Sequence, residues 1–144
     1  MSIPKNEVEL QLFIQQFESG DLAKNQWHHP QHVIVAFWYL SHFDEETAIS
    51  KICYGIQNLN SKHQVTQTPS GGYHETWTIF FAKVLKRLMN ENFRQTLSVM
   101  DQMNLAISFL NDFKGITLEY YSKELIMSWK ARTSWVEPDL KSLV

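Results

Sequence analysis

"HPQHVIVAFWYLS", residues 29 to 41, decides the fold class. Proline is favoured in the first turn of a helix, where its missing N–H costs nothing. The spacing therefore predicts a helix from Pro30 to about Ser41, with His29 at its cap and His32 in its first turn. The body, Val33 to Leu40, is apolar on nearly every side, which is the pattern of a helix at the centre of a bundle. At eight residues it is too short to cross a bilayer.

Working outward, the flanking segments repeat helical spacing and show little strand alternation. Residues 4 to 18 open on Pro4, carry Leu10, Phe13, Ile14 and Phe17 on one face, and stop at Gly20. After the central helix, Asp44 is placed to cap the next one, with Glu45 and Glu46 in its first turn against the positive end of the dipole. Its inner stripe is Ile49, Ile52, Cys53, Ile56 and Leu59. Residues 60 to 72, "NSKHQVTQTPSGG", carry turn chemistry throughout and predict the longest break.

A helix over Tyr73 to Asn90 follows, with Trp77, Phe81, Leu85 and Leu88 inward. Residues 92 to 113 predict one further helix or two, stopping at Lys114-Gly115. Short helices are expected to open at Thr117 and Ser128. Pro138 pushes Glu137 out of helical geometry, so "WVEPDLKSLV" reads as an extended tail anchored by Trp135 and Leu140. These elements predict an all-α single-domain bundle of five or six helices over residues 1 to 144.

Composition narrows the function classes. Of 144 residues, 44% are hydrophobic and 19% charged, enough apolar material for one core. The net charge of −2 supplies no basic face for nucleic acid. No secretory leader or membrane span is legible, so a cytoplasmic protein is expected. The single cysteine, Cys53, cannot form an internal disulfide and reads as a packing residue. A P-loop, a dinucleotide fingerprint and a serine nucleophile elbow are all missing from the sequence.

Two stretches carry candidate chemistry. A helix N-terminus disfavours imidazolium, so His29 and His32 are expected to be neutral, the form that binds a metal. In "PSGGYHET", residues 69 to 76, His74 shares the inward stripe of Trp77 and Phe81, and Gly71 and Gly72 precede a helix N-terminus suited to an anion. Helices two and four would run parallel in an up-down bundle, which brings their starts together. His29, His32 and His74 then read as ligands of a divalent metal such as zinc or iron, with Glu75, His74 and Tyr73 as catalytic groups. Ser70, Gly71, Gly72 and Arg132 are candidates for holding a small ligand. Arg132 has a structural alternative, pairing with Glu137 or Asp139 to fasten the tail. Taken together, these features predict a His/Glu-lined polar pocket for a small molecule or metal, with catalysis open. The competing class is a protein–protein interaction module with structural histidines and an exposed patch around Trp129 and Trp135.

The spacing Trp-x-His-x-x-His, the segment "TPSGGYHET", the pair "YY" before Ser122 and the terminal "WVEPDL" resemble an uncharacterised family of small bacterial proteins over residues 20 to 140. That resemblance implies a shared site at His29, His32, Tyr73, His74 and Glu75, and no reaction. It departs at His28, where the family pattern has threonine.

Overall fold

The structure, a computed structural model, describes residues 3–93 and 96–143; within the expected helical stretch 92–113, residues 94 and 95 lie outside the described ones. Eight α-helices are present among the described residues: α1 Glu7–Ser19, α2 His29–His42, α3 Glu45–Lys62, α4 Glu75–Asn92, α5 Val99–Phe109, α6 Phe113–Tyr120, α7 Lys123–Ile126 and α8 Trp129–Thr133. The all-helical class agrees with the sequence reading, whereas the count exceeds the expected five or six. The difference lies in the C-terminal third, where short helices each start on their own cap. Asp112, Ser122 and Ser128 accept hydrogen bonds from the backbone N–H groups of Gly115, Leu125 and Ala131. Lys114-Gly115 is therefore not a stop; it sits inside α6, and the break lies at Leu110–Asp112.

α2 is the central helix, as its apolar sequence predicts. Val33 through Phe37, Tyr39 and Leu40 are buried, and α2 packs on α3, α4 and α5. A single buried cluster joins Phe13 and Phe17 of α1, Ile52 and Leu59 of α3, Phe80 and Leu85 of α4, Met103 of α5 and Tyr121 after α6. The first helix starts on Asn6, whose side chain caps Glu9, and ends at Gly20 in left-handed geometry.

Three helix starts position the site. α2 begins one residue earlier than expected, so His28 is its cap and His29 its first residue. α3 continues to Lys62, which shortens the break to residues 63–74. α4 begins at Glu75 with His74 as its cap.

The tail is extended after α8; of the two expected anchors Trp135 packs against the core, while Leu140 does not, and further anchors appear. Val136 is buried, and Tyr121 donates its hydroxyl to the Val136 carbonyl at 2.7 Å. Trp135 is only partly buried, and Leu140 remains 58% exposed. Thr76, fully buried in the first turn of α4, donates to the Ser134 carbonyl at 2.8 Å and accepts from the Val136 N–H at 3.1 Å. The Thr76 and Tyr121 hydroxyls thus fasten the tail, the task that the structural alternative gave to Arg132. No helix among the described residues is long and apolar enough to cross a membrane.

Candidate functional site

A cavity of about 660 Å³ opens where the start of α2, the start of α4, the middle of α3 and the α5–α6 turn meet. This volume lies within the usual range for small-molecule sites. The two separated sequence stretches do converge here, since His28, His29, His32, Gly72, Tyr73 and His74 all line it. Its remaining lining is largely apolar. Trp77, Phe81 and Phe113 form an aromatic group in which Phe113 lies 4.5 Å from Phe81 and 6.4 Å from Trp77, and Ala36, Ile52 and Ile56 add aliphatic surface.

The four histidines have different roles, set by where their nitrogens bond. His74 is 7% exposed; its Nε2–H donates to the Ile126 carbonyl at 2.7 Å while Nδ1 accepts from the Trp77 N–H at 3.0 Å. Both nitrogens are thereby used, and the tautomer follows from its partners. Burial pulls the His74 pKa down, and the nearby Arg132 charge acts the same way. His74 caps α4 and ties it to α7, so it has no free lone pair for a metal and no accessible proton acceptor.

His29 donates Nε2–H to the Leu110 carbonyl at 2.7 Å, and His28 donates to the Asn25 carbonyl at 2.8 Å. His32 differs from all three: among the described residues its ring nitrogens have no hydrogen-bond partner. Its imidazole lies against the indole of Trp27, with centroids 4.0 Å apart and planes 28° from parallel. Burial, with His29 and His28 close by, drives its pKa from the ordinary 6.5 to about 3. The ring is neutral at physiological pH and open to the cavity.

The proposed His29/His32/His74 metal set does not form. Among the described residues no group of three or more His, Cys, Asp or Glu side chains is placed to hold a metal ion. The reason is geometric, because His29 and His74 turn their Nε2 toward two different backbone carbonyls.

Tyr73 lines the cavity and donates its hydroxyl to Glu75 Oε1. Burial, with contacts to Cys53 and Glu75, pushes the phenol well above its usual range. Glu75 stands behind Tyr73 and not on the cavity wall, as its 100° offset from His74 on a helix implies. Cys53 is half-buried beside Tyr73, and burial raises its thiol pKa.

The glycine loop serves the chain itself. Gly71 and Thr68 exchange backbone hydrogen bonds at 2.9 and 3.3 Å, so the Gly71 amide is occupied. Gly72 has φ +81°, and a Cβ there would lie 2.6 Å from the Thr66 carbonyl oxygen. Ser70 is exposed and off the cavity wall. Arg132, 6% exposed, donates Nη1 to the Gly72 carbonyl at 3.1 Å, and its buried Nε has no hydrogen-bond partner among the described residues. It braces the loop from behind and forms neither expected ion pair. The two ion pairs among the described residues are Lys83–Glu45 and Arg87–Glu91, while Asp139 accepts from the Ser122 N–H.

The sequence reading missed the α5–α6 contribution, Asn111 to Lys114. The available signal was Asn111-Asp112, a turn-and-cap pair that announces a new helix. As for the patch of the competing class, Trp129 is 50% exposed, but Trp135 is partly buried and donates its indole N–H to Glu137 at 3.1 Å.

Compared with known protein families, curated proteins and solved structures, the chain finds no match.

Proposed function

We propose that this is a cytoplasmic protein that binds a small organic molecule in the cavity between α2, α3, α4 and the α5–α6 turn, and that it shares this site with the small bacterial proteins whose motifs it resembles. One observation carries the reading. Of the four histidines on the wall, three spend a ring nitrogen on a backbone carbonyl, and His32 alone has no hydrogen-bond partner for its ring nitrogens among the described residues. Buried polar groups are normally satisfied, so a neutral imidazole left open inside a mostly apolar cavity calls for a ligand or for water.

His32 is the group that meets the ligand, as hydrogen-bond partner or proton acceptor. Tyr73, backed by Glu75, is the second polar group on the wall, and in a catalytic version of the site it would pass a proton between ligand and carboxylate. His74 and Arg132 are supports: they hold Tyr73 and the start of α4 in place.

Methyl NMR on a chemically varied fragment library tests the proposal. Ligands of the cavity should shift Ala36, Ile52 and Ile56 together, and His32→Ala should weaken them. A library with no compound that moves these three signals at concentrations up to about 1 mM, the weak end of specific binding, would sink it.

A further inference from the structure

The polar inventory of the cavity restricts its ligand further than size does. His29 gives its Nε2–H to the Leu110 carbonyl, so Nδ1 is the ring position left to accept a hydrogen bond from a ligand. His32, one turn on and with no hydrogen-bond partner for its ring nitrogens among the described residues, can place its proton on either nitrogen and so can donate or accept. A ligand that meets both must bring a donor for His29 and has a donor waiting at His32.

The apolar lining adds a shape. Trp77 is held by its indole N–H on Thr117 Oγ1 at 2.9 Å, and with Phe81 and Phe113 it presents ring surface against the aliphatic Ile52 and Ile56. Aromatic faces and edges favour a flat ring as their partner. Lys114 and Asp112 bring opposite charges to the same turn, which gives neither sign of ligand an advantage.

The geometry points to a flat, uncharged heteroaromatic ring carrying an N–H beside a carbonyl, the lactam pattern, as the ligand class of this cavity, an inference that rests on the small-molecule reading above. The ligand N–H donates to His29 Nδ1, the ligand carbonyl accepts from His32, and the ring lies against Trp77 and Phe81. Asn60 and Asn111, also on the wall, offer amides of the same donor–acceptor type.

The test compares three probes on the intact protein by methyl NMR: 2-quinolone, its N-methyl derivative and quinoline. 2-Quinolone should move the Ile52 and Ile56 methyl signals; its N-methyl derivative, lacking the N–H, should bind about tenfold more weakly, the cost of one missing hydrogen bond, and quinoline, lacking both the N–H and the carbonyl, at least as weakly. Equal affinity of 2-quinolone and its N-methyl derivative overturns the lactam assignment. If fragments of another class move the same methyls while 2-quinolone does not, the assignment falls and the cavity reading stands. If no compound of any kind moves them, both fall.

Discussion

The imidazole of His32 lies nearly parallel to the indole of Trp27, 4.0 Å between centroids, on the wall of the cavity of about 660 Å³. The stack fixes the ring without using either nitrogen. It thereby leaves polar capacity inside an apolar wall, and the burial that comes with it has a measurable consequence.

A histidine whose folded pKa is about 3 binds fewer protons than the same residue at 6.5 in the unfolded chain. Stability therefore falls as pH drops below about 6.5, by up to ~1.4 kcal/mol per pH unit, and is insensitive to this group above neutrality. His74 acts in the same direction. Replacing His32 by Phe keeps the stack and removes the titration. Urea unfolding at pH 7.5 and pH 5 should show wild type losing roughly 2 kcal/mol more than His32→Phe between the two; equal losses would refute the burial of an untitrated ring.

His74 should behave as a structural residue. His74→Ala removes the cap on Trp77 and the link to Ile126, at a cost of about 2–4 kcal/mol. Asn at this position can still cap, and His74→Asn should recover about 1 kcal/mol of that loss. Thermal and urea unfolding of the two variants decide the matter, and indistinguishable stabilities would argue against the capping role.

The two adjacent glycines should respond differently. Gly72→Ala meets both a φ of +81° and the Thr66 carbonyl, so a loss of about 2 kcal/mol or more is expected. At Gly71 an added Cβ would meet Thr68 Oγ1 at an ordinary contact distance of 3.6 Å, and Gly71→Ala should cost less than about 1 kcal/mol. Chemical denaturation of both proteins provides the comparison.

Thr76→Val preserves shape but removes the hydroxyl shared by Ser134 and Val136. The buried Val136 N–H and the Ser134 carbonyl lose their partner, for an expected cost of about 1–3 kcal/mol. Hydrogen exchange should show the Val136 amide losing protection ahead of the α2 core. Unchanged protection at Val136 would mean that the Thr76 hydroxyl does not hold the tail, leaving that role to Tyr121 and the Asp139–Ser122 bond.

Much of the helical framework was legible because its signals are local. The caps Asp44 and Ser128, the stop at Gly20 and the inward stripes of α1, α3 and α4 each depend on residues within a turn or two. Where two local signals compete, boundaries slipped. Lys114-Gly115 resembles a helix end, but Asp112 just before it caps a new helix. Likewise, Pro30 marks the first turn of α2 without saying whether it is the first or second helical residue.

"HHPQH" and "GYH" line one cavity, a meeting that the order of elements in an up-down bundle predicts. The role of each histidine was not. His29 bonds the carbonyl of a residue 81 positions away and His74 one 52 positions away, and a backbone carbonyl has no signature in a sequence. The sequence by itself determined which segments are helices, which faces are apolar and which polar residues reach the site, since these follow from periodicity and caps. Only the tertiary structure decided that His74 and Arg132 are braces while His32 stays open, because the occupancy of a lone pair depends on what the rest of the chain places within 3 Å of it.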